Sequence, residues 1–90
     1  MVSMAEPIGI ALSTAGHDRG TRYLVLEMTD TAVLLTDGRL RKLARPKRKN
    51  RKHVRFLPDG IPDAVSGKLA DPLTDASVRR ALAEAARLAI

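Results

Sequence analysis

Alternating apolar and polar residues in the first half of the chain predict short β-strands. In the segment IGIALS, Ile8, Ile10 and Leu12 alternate with small residues, as in a strand that is buried on one face. The segment RYLVLEM, residues 22–28, is apolar on both sides and suits a central strand. The segment TAVLLT, residues 31–36, continues the pattern after a short turn. We therefore expect three consecutive strands in this part of the chain.

An aspartate-glycine turn predicts how the chain continues. The dipeptide at residues 37–38 lies between apolar runs and is a strong hairpin signal, because glycine accepts the positive φ of a tight turn. Residues 39–42 are expected to return as the partner strand, with Leu40 towards the core. In the segment HVRF, Val54 and Phe56 fall on one face of a fifth short strand.

The predicted elements divide the chain into three parts. Five strands in about fifty residues predict a mainly β fold, a small SH3-like antiparallel barrel over residues 1–57 with a basic loop at 44–53. Residues 58–73 are rich in Pro, Gly and Asp, and we expect a connector with at most one short helix. Residues 74–90 predict a C-terminal α-helix, because Thr74 is a suitable N-cap and the many alanines favour helix.

The predicted C-terminal helix has a narrow apolar stripe. Val78, Leu82, Ala85 and Ala89 fall on one face at helical spacing. Because these side chains are mostly small, we expect the helix to pack lightly on the barrel or on a protein partner.

Positive charge is concentrated in one stretch of the chain. The net charge is +6, from 16 Lys and Arg residues and 10 Asp and Glu residues. The stretch RLRKLARPKRKNRKHVRF, residues 39–56, contains ten of the bases and no acid. Like charges at this density need compensation, and a polyanionic partner, most often nucleic acid, supplies it.

Composition also bears on the compartment. The chain contains no cysteine, and no segment is long and apolar enough to span a membrane. The N-terminal segment MVSMAEPIGIAL has no basic leader, which argues against a secretory signal. We therefore expect a cytoplasmic protein without a membrane partner.

Residues for catalysis or metal binding are few. The two histidines, His17 and His53, lack the ligand count of a structural zinc site when no cysteine is present. Ser13 and Ser66 have no evident base nearby in the sequence. We expect no enzymatic activity, no cofactor, no metal site and no small-molecule substrate.

The segment GHDRGT, residues 16–21, predicts a specialised turn between the first two strands. Its glycines permit positive φ or close approach of another backbone. Asp18 is expected to accept hydrogen bonds from amides of its own turn, while His17 and Arg19 project outward. If RNA approaches this turn, Gly20 offers a flat surface and an available amide, and Arg19 can reach a phosphate.

Two longer segments carry a family resemblance. Residues 8–27 resemble a KOW motif, in which apolar residues alternate around an essential glycine that corresponds to Gly20. Residues 35–53 resemble bacterial KOW-domain RNA-binding proteins, which are similar to a class of large-subunit ribosomal proteins of archaea and eukaryotes. The shared features are an aspartate-glycine hairpin, a basic strand after it and a basic loop that ends in Lys-His. The family's C-terminal helix, which opens with Leu-Thr, has a counterpart at residues 73–74.

The resemblance implies an SH3-like barrel that binds ribosomal or other structured RNA and has no enzymatic activity. Thr21 stands where such motifs often carry a base, so position 21 is not assigned a phosphate contact. The residues predicted to bind RNA are mostly bases of the first turn and of the basic stretch: His17, Arg19, Gly20, Arg39, Arg41, Lys42, Arg45, Lys47, Arg48, Lys49, Arg51, Lys52, His53 and Arg55.

The expected mode of binding follows from these residue types. Arg39, Arg41, His53 and Arg55 are expected on outward strand faces, beside a mobile loop with the sequence KRKNRK. Lys and Arg bind phosphates without reading base sequence. The chain has one tyrosine, one phenylalanine and no tryptophan, so stacking on single-stranded bases is poorly supplied. A folded RNA, with large-subunit ribosomal RNA foremost, is the expected partner.

Two other functions remain open from the sequence. KOW-like barrels also occur in transcription factors, so a regulator of transcription or of messenger RNA is one alternative. A module that binds an acidic protein is the other. A regulator would contact its protein partner through the apolar stripe of the helix at residues 74–90, whereas the second alternative binds its acidic partner through the barrel.

Overall fold

A five-stranded antiparallel sheet and two helices form the part of the chain that the structure describes. This computed structural model describes residues 7–58 and 60–90. In chain order its elements are β1 (Gly9–Ser13), β2 (Arg22–Met28), β3 (Ala32–Thr36), β4 (Lys47–Asn50), a 3₁₀ turn (Arg51–His53), β5 (Val54–Phe56), α1 (Asp63–Ser66) and α2 (Asp75–Arg87). The strand order β4-β3-β2-β1-β5 makes β2 the central strand, as its apolar sequence predicted.

The sheet is curled, and both of its faces are buried. Residues that pair across antiparallel strands lie on the same face of the sheet. The face inside the curl carries a cluster of apolar side chains. This interior cluster is formed by Ala11, Tyr23, Val25, Val33 and Leu35, with Val54 and Phe56 half-buried against it.

The other face of the sheet packs against the two helices. Its central pair, Ile10 and Leu24, is fully buried together with side chains of both helices: Val65, Val78, Ala81, Leu82 and Ala85. The prediction that β1 is buried on one face only was therefore wrong, because α1 and α2 cover the side opposite the interior cluster. Ile8, expected in the core, precedes β1 and is 47% exposed.

The fourth strand lies elsewhere than predicted. Residues 39–42 form bends of a loop, whereas the segment KRKN, predicted to be a mobile loop, is β4 and pairs with β3. Pro46 directly precedes this strand. Leu40, expected in the core, is 87% exposed. The register explains the error, since Lys47 opposite Leu35 and Lys49 opposite Val33 direct their side chains into the curl, where both ammonium groups bind the carboxylate of Asp18.

The last strand and the turn between β2 and β3 agree with the sequence patterns. In β5, Val54 and Phe56 face the interior cluster and Arg55 is exposed. Before β3, the Thr29 amide donates to the Ala32 carbonyl at 2.8 Å and closes the predicted short turn.

The C-terminal helix begins where predicted and packs more closely than expected. The Thr74 side chain accepts a hydrogen bond from the Ser77 amide, which forms the N-cap of α2. Val78 and Ala85 are fully buried, so the predicted light packing was wrong. Ala89 lies beyond the end of α2 and is exposed, although the stripe pattern included it.

The connector contains one short helix, α1, within the region where one was expected. Its Val65 side chain is fully buried against α2 and the sheet. Across residues 7–58 and 60–90, neither helix has the length and apolar character that crossing a bilayer requires.

Candidate nucleic-acid interface

The turn between β1 and β2 folds one carboxylate into the curl of the sheet. Asp18 accepts hydrogen bonds from the Ser13 hydroxyl, the Tyr23 hydroxyl and the Lys49 ammonium, each at 2.8 Å. Ser13 and Lys49 donate to Oδ1 and Tyr23 donates to Oδ2, and the Lys47 ammonium lies 3.1 Å from Oδ2. The Asp18 side chain is 14% exposed and that of Lys49 is 9% exposed. We call these five residues the Asp18 cluster.

The Asp18 cluster corrects two expectations. Asp18 was predicted to bind amides of its own turn, but its carboxylate instead connects the turn to β1, β2 and β4. Lys47 and Lys49 were predicted in a mobile loop, which was wrong, because both belong to a strand and are bound to Asp18, while their contact with RNA phosphates stays a prediction. Lys49 also donates to the Ala15 carbonyl at 2.8 Å, which fixes the start of the turn.

Ionisation in the cluster follows from these contacts. Burial by itself raises the pKa of Asp18, but hydrogen bonds from Lys49, Tyr23, Ser13 and Lys47 outweigh it and hold the pKa well below its ordinary value. Burial and the hydrogen bond to Asp18 raise the pKa of Tyr23 above its ordinary value. Asp18 is therefore ionised and Tyr23 neutral across the physiological range.

The rest of this turn matches the sequence expectation in part. Gly16 and Gly20 have φ of +86° and +90°, as the glycine positions predicted. His17 and Arg19 are exposed, also as predicted. The Gly20 amide, however, donates to the Ser13 carbonyl at 2.9 Å, so the expectation that it is available to RNA was wrong.

The loop between β3 and β4, residues 37–46, is ordered by its own side chains. We call this observed segment the basic loop, because it carries Arg39, Arg41, Lys42 and Arg45; the basic loop predicted at residues 44–53 was wrong in its bounds, since β4 and the 3₁₀ turn occupy residues 47–53. One Asp37 carboxylate oxygen accepts the amides of Arg39 and Arg41, each at 2.9 Å. The Thr36 hydroxyl donates to the Arg41 carbonyl at 2.6 Å. These bonds take the place of the ladder of the predicted hairpin, although Gly38 has the predicted positive φ of +70°.

The first turns of α2 hold the basic loop against the domain. Arg79 donates to the Gly38 carbonyl at 2.6 Å, and the Asp75 carboxylate accepts the Leu43 amide at 2.8 Å. The approach is so close that a Cβ on Gly38 would lie 2.4 Å from the Asp75 carbonyl oxygen. The sequence analysis predicted no loop contact for Asp75 or Arg79, because no local pattern relates them to a loop over thirty residues earlier.

Most of the predicted basic residues are exposed. On the basic loop Arg39, Arg41, Lys42 and Arg45 are exposed, and so are Arg48 on β4, Lys52 and His53 on the 3₁₀ turn, and Arg55 on β5. Arg51 is half-buried, and its guanidinium donates to the Thr29 carbonyl at 3.0 Å. Within residues 7–58 and 60–90, Lys47 and Lys49 are the members of the 39–56 stretch that bind a carboxylate through their side chains. Eight of its ten bases therefore have no acidic partner there.

The 3₁₀ turn carries the chain from one edge of the sheet to the other. The Arg51 amide donates to the Thr31 carbonyl beside β3, and the His53 carbonyl accepts from the Thr14 amide after β1. The predicted surface of Arg39, Arg41, His53 and Arg55 is thus divided between the basic loop and the β5 edge.

Among residues 7–58 and 60–90, no three His, Asp or Glu side chains come together as a potential metal site. The shallow depression between β2, β3 and β4 is lined by Glu27, Thr29, Ala32, Val33, Leu34 and Arg48.

No protein-family model matches the chain, and no curated protein matches it either.

Proposed function

We propose that this chain is a non-enzymatic RNA-binding protein that grips the phosphates of structured RNA. The observation that carries the proposal is that eight Lys and Arg residues between residues 39 and 56 have no carboxylate partner in the described part of the chain. Such a surface favours a polyanion, and Lys and Arg on it would release counterions from the RNA backbone.

We further propose that the curled sheet is an SH3-like barrel of the KOW type. The support is the order β4-β3-β2-β1-β5, in which a three-residue 3₁₀ turn joins the two edge strands. The resemblance of residues 8–27 and 35–53 to KOW-domain RNA-binding proteins supports the same assignment. The likeness to large-subunit ribosomal proteins makes ribosomal RNA the first candidate target.

The burial of the two aromatic residues favours structured RNA over single-stranded RNA as the partner. Tyr23 is 3% exposed and donates its hydroxyl to Asp18, so its ring is not available to a base. Phe56 is half-buried against the interior cluster. Proteins that bind single strands usually stack nucleobases on aromatic side chains. Binding phosphates that a folded RNA holds in a fixed geometry needs only well-placed Lys and Arg side chains.

Binding of purified protein to an RNA hairpin, measured by fluorescence anisotropy, tests the proposal. The variant Arg39→Gln/Arg41→Gln removes two exposed bases from the basic loop. The matched control Lys68→Gln/Arg87→Gln removes the same charge near Glu84, outside the basic stretch. We expect the first variant to bind at least about tenfold more weakly and to show a shallower salt dependence, because two phosphate contacts are lost.

Equal affinities of the two variants would contradict the proposed interface. Absence of hairpin binding by the unmodified protein would contradict the function itself. A stable complex with an acidic protein that survives nuclease treatment would favour the protein-interaction alternative.

The choice of ribosomal RNA needs a separate experiment. Crosslinking in cells, followed by sequencing of the attached RNA, should return one region of large-subunit RNA. Crosslinks spread over all transcripts would refute the ribosomal target but leave general RNA binding in place.

A further inference from the structure

The tip of the basic loop presents a large apolar side chain among arginines. Leu40 is 87% exposed, the highest exposure of any large apolar residue among those described. It stands between Arg39 and Arg41, both of which are also exposed. A single exposed leucine is common on protein surfaces. Its exposure indicates a function only if the backbone around it is fixed so that the side chain points outward.

The loop holds this side chain outward by bonds on both sides of it. Asp37 accepts the amides of Arg39 and Arg41, the residues that flank Leu40. The carbonyl of Arg41 accepts both the Thr36 hydroxyl at 2.6 Å and the Asp37 amide at 3.1 Å. The backbone around Leu40 is thereby closed into a tight loop that excludes the side chain from the core.

The loop is also fastened to α2. Arg79 binds the Gly38 carbonyl and Asp75 binds the Leu43 amide, so both ends of the tip are tied to one helix. The tip is therefore arranged before any ligand binds, which lowers the entropy that binding would cost.

We infer that the tip of the basic loop is a preformed wedge for RNA, in which Leu40 enters a weakly stacked step while Arg39 and Arg41 bind the phosphates beside it. This inference rests on the proposed function and names the feature of RNA that the site recognises. Apolar side chains inserted between bases partly unstack them, which is cheapest where stacking is already interrupted. Bulges and internal loops of folded RNA supply such steps.

Charge complementarity favours RNA over an apolar protein groove as the occupant. Residues 39–56 contain no acid, and the carboxylate beside the tip, that of Asp37, is bound to the amides of Arg39 and Arg41, so the charged side chains that flank Leu40 in the sequence are both arginines. An anionic lipid surface would also attract these bases, and the experiment includes it as a competing outcome.

The test compares two RNA hairpins that differ only in a bulge. Leu40→Ala should weaken binding to the bulged hairpin about tenfold, since most of the apolar contact of one leucine is lost, and leave binding to the fully paired hairpin unchanged. Met28→Ala is the matched control, because it truncates another exposed apolar side chain outside the basic loop. A fluorescent 2-aminopurine beside the bulge should brighten when the unmodified protein binds and should not with Leu40→Ala.

Several outcomes would overturn the inference. If the unmodified protein and Leu40→Ala bind both hairpins alike, the wedge is wrong while RNA binding stands. If the unmodified protein binds neither hairpin, the proposed function fails together with the wedge. If Leu40→Ala loses binding to phosphatidylserine vesicles and keeps its selectivity for the bulge, Leu40 is a lipid contact. Equal thermal melts of the two proteins would show that a loss of affinity does not reflect unfolding.

Discussion

Replacing Asp18 by asparagine should destabilise the fold, because this carboxylate connects the β1–β2 turn to three strands. It receives hydrogen bonds from Ser13, Tyr23 and Lys49 and an ion pair from Lys47. Asparagine keeps one oxygen acceptor, but it carries no charge, and its NH₂ group cannot accept a hydrogen bond from an ammonium. The substitution therefore leaves two lysines directed into the curl without a counter-charge.

The size of the effect follows from the burial of the partners. Removing one member of a buried ion pair costs roughly 3 to 5 kcal/mol, since the remaining charge is left uncompensated. Lys49 is 9% exposed and bears this cost, whereas Lys47 is 24% exposed and can turn towards solvent. We therefore expect Asp18→Asn to lower the free energy of unfolding by roughly 3 kcal/mol, at the lower end of that range.

A loss of this size is easy to measure in a domain of 90 residues. Its total stability is on the order of 5 to 10 kcal/mol, and each kcal/mol shifts the Tm by about 4 to 8 °C. Urea unfolding followed by circular dichroism at neutral pH gives the difference directly. Asp30→Asn is the matched control, because Asp30 is an exposed turn residue.

The pH dependence gives a second signature of the same carboxylate. The folded-state pKa of Asp18 is lowered, so its stabilising contribution is present above the ordinary carboxyl pKa of about 4 and is lost as pH falls through the folded value. The difference between the unmodified protein and Asp18→Asn should therefore shrink as the pH is lowered from neutrality to below about 4. A stability of Asp18→Asn equal to that of Asp30→Asn at neutral pH would refute the reasoning.

Three further predictions concern the turns, the tyrosine and the helix cap. Gly38→Ala should lower the free energy of unfolding by roughly 2 kcal/mol or more, since its Cβ would lie 2.4 Å from the Asp75 carbonyl oxygen. Gly20→Ala should lower it by only about 1 kcal/mol, because the positive φ is the only source of strain at that position. Urea melts of the two variants compare them, and equal losses would contradict the close approach of α2. Tyr23, the single tyrosine, should resist ionisation until the pH is well above its ordinary pKa of about 10, because burial and Asp18 favour the neutral phenol. Phenolate absorbance measures this, and an ordinary titration would contradict the hydrogen bond. Thr74→Ala should cost about 1 kcal/mol by removing the N-cap of α2, and Thr74→Ser, which keeps the hydroxyl, should restore most of it in the same urea melts.

The sheet core was predictable from local patterns. The apolar sequence of β2 predicted a central strand, and the strand order places it there. Thr74 predicted the start of α2, where the structure has a side-chain cap. In both cases the signal lies within one short segment of the sequence, so it can be recognised without knowing which distant residues pack against that segment.

The fourth strand was not predictable in this way. Its inward side chains, Lys47 and Lys49, are charged, and the acid that neutralises them is about thirty residues earlier in the chain. Hydrophobic periodicity cannot reveal a strand whose buried face is ionic. Conversely, Leu40 between two arginines imitates strand alternation, while the Asp37 carboxylate holds that segment in a loop.

The candidate interface was predictable in composition but not in arrangement. The density of bases in residues 39–56 is enough by itself to indicate a polyanionic partner. Which bases are exposed, and which are held by Asp18, depends on contacts between distant segments. The role of α2 in fastening the basic loop through Asp75 and Arg79 depends on such contacts as well.

The most direct test of the central claim is to map the RNA-contacting surface by NMR titration with an RNA hairpin. We expect the largest amide shift changes in the basic loop, around residues 39–45, and smaller ones at Arg19, Arg48 and Arg55. The exposed face of α2, including Arg80 and Arg87, should be little affected. Shift changes centred on α2, or none at saturating RNA, would contradict the proposal that the exposed Lys and Arg residues between residues 39 and 56 form the RNA interface.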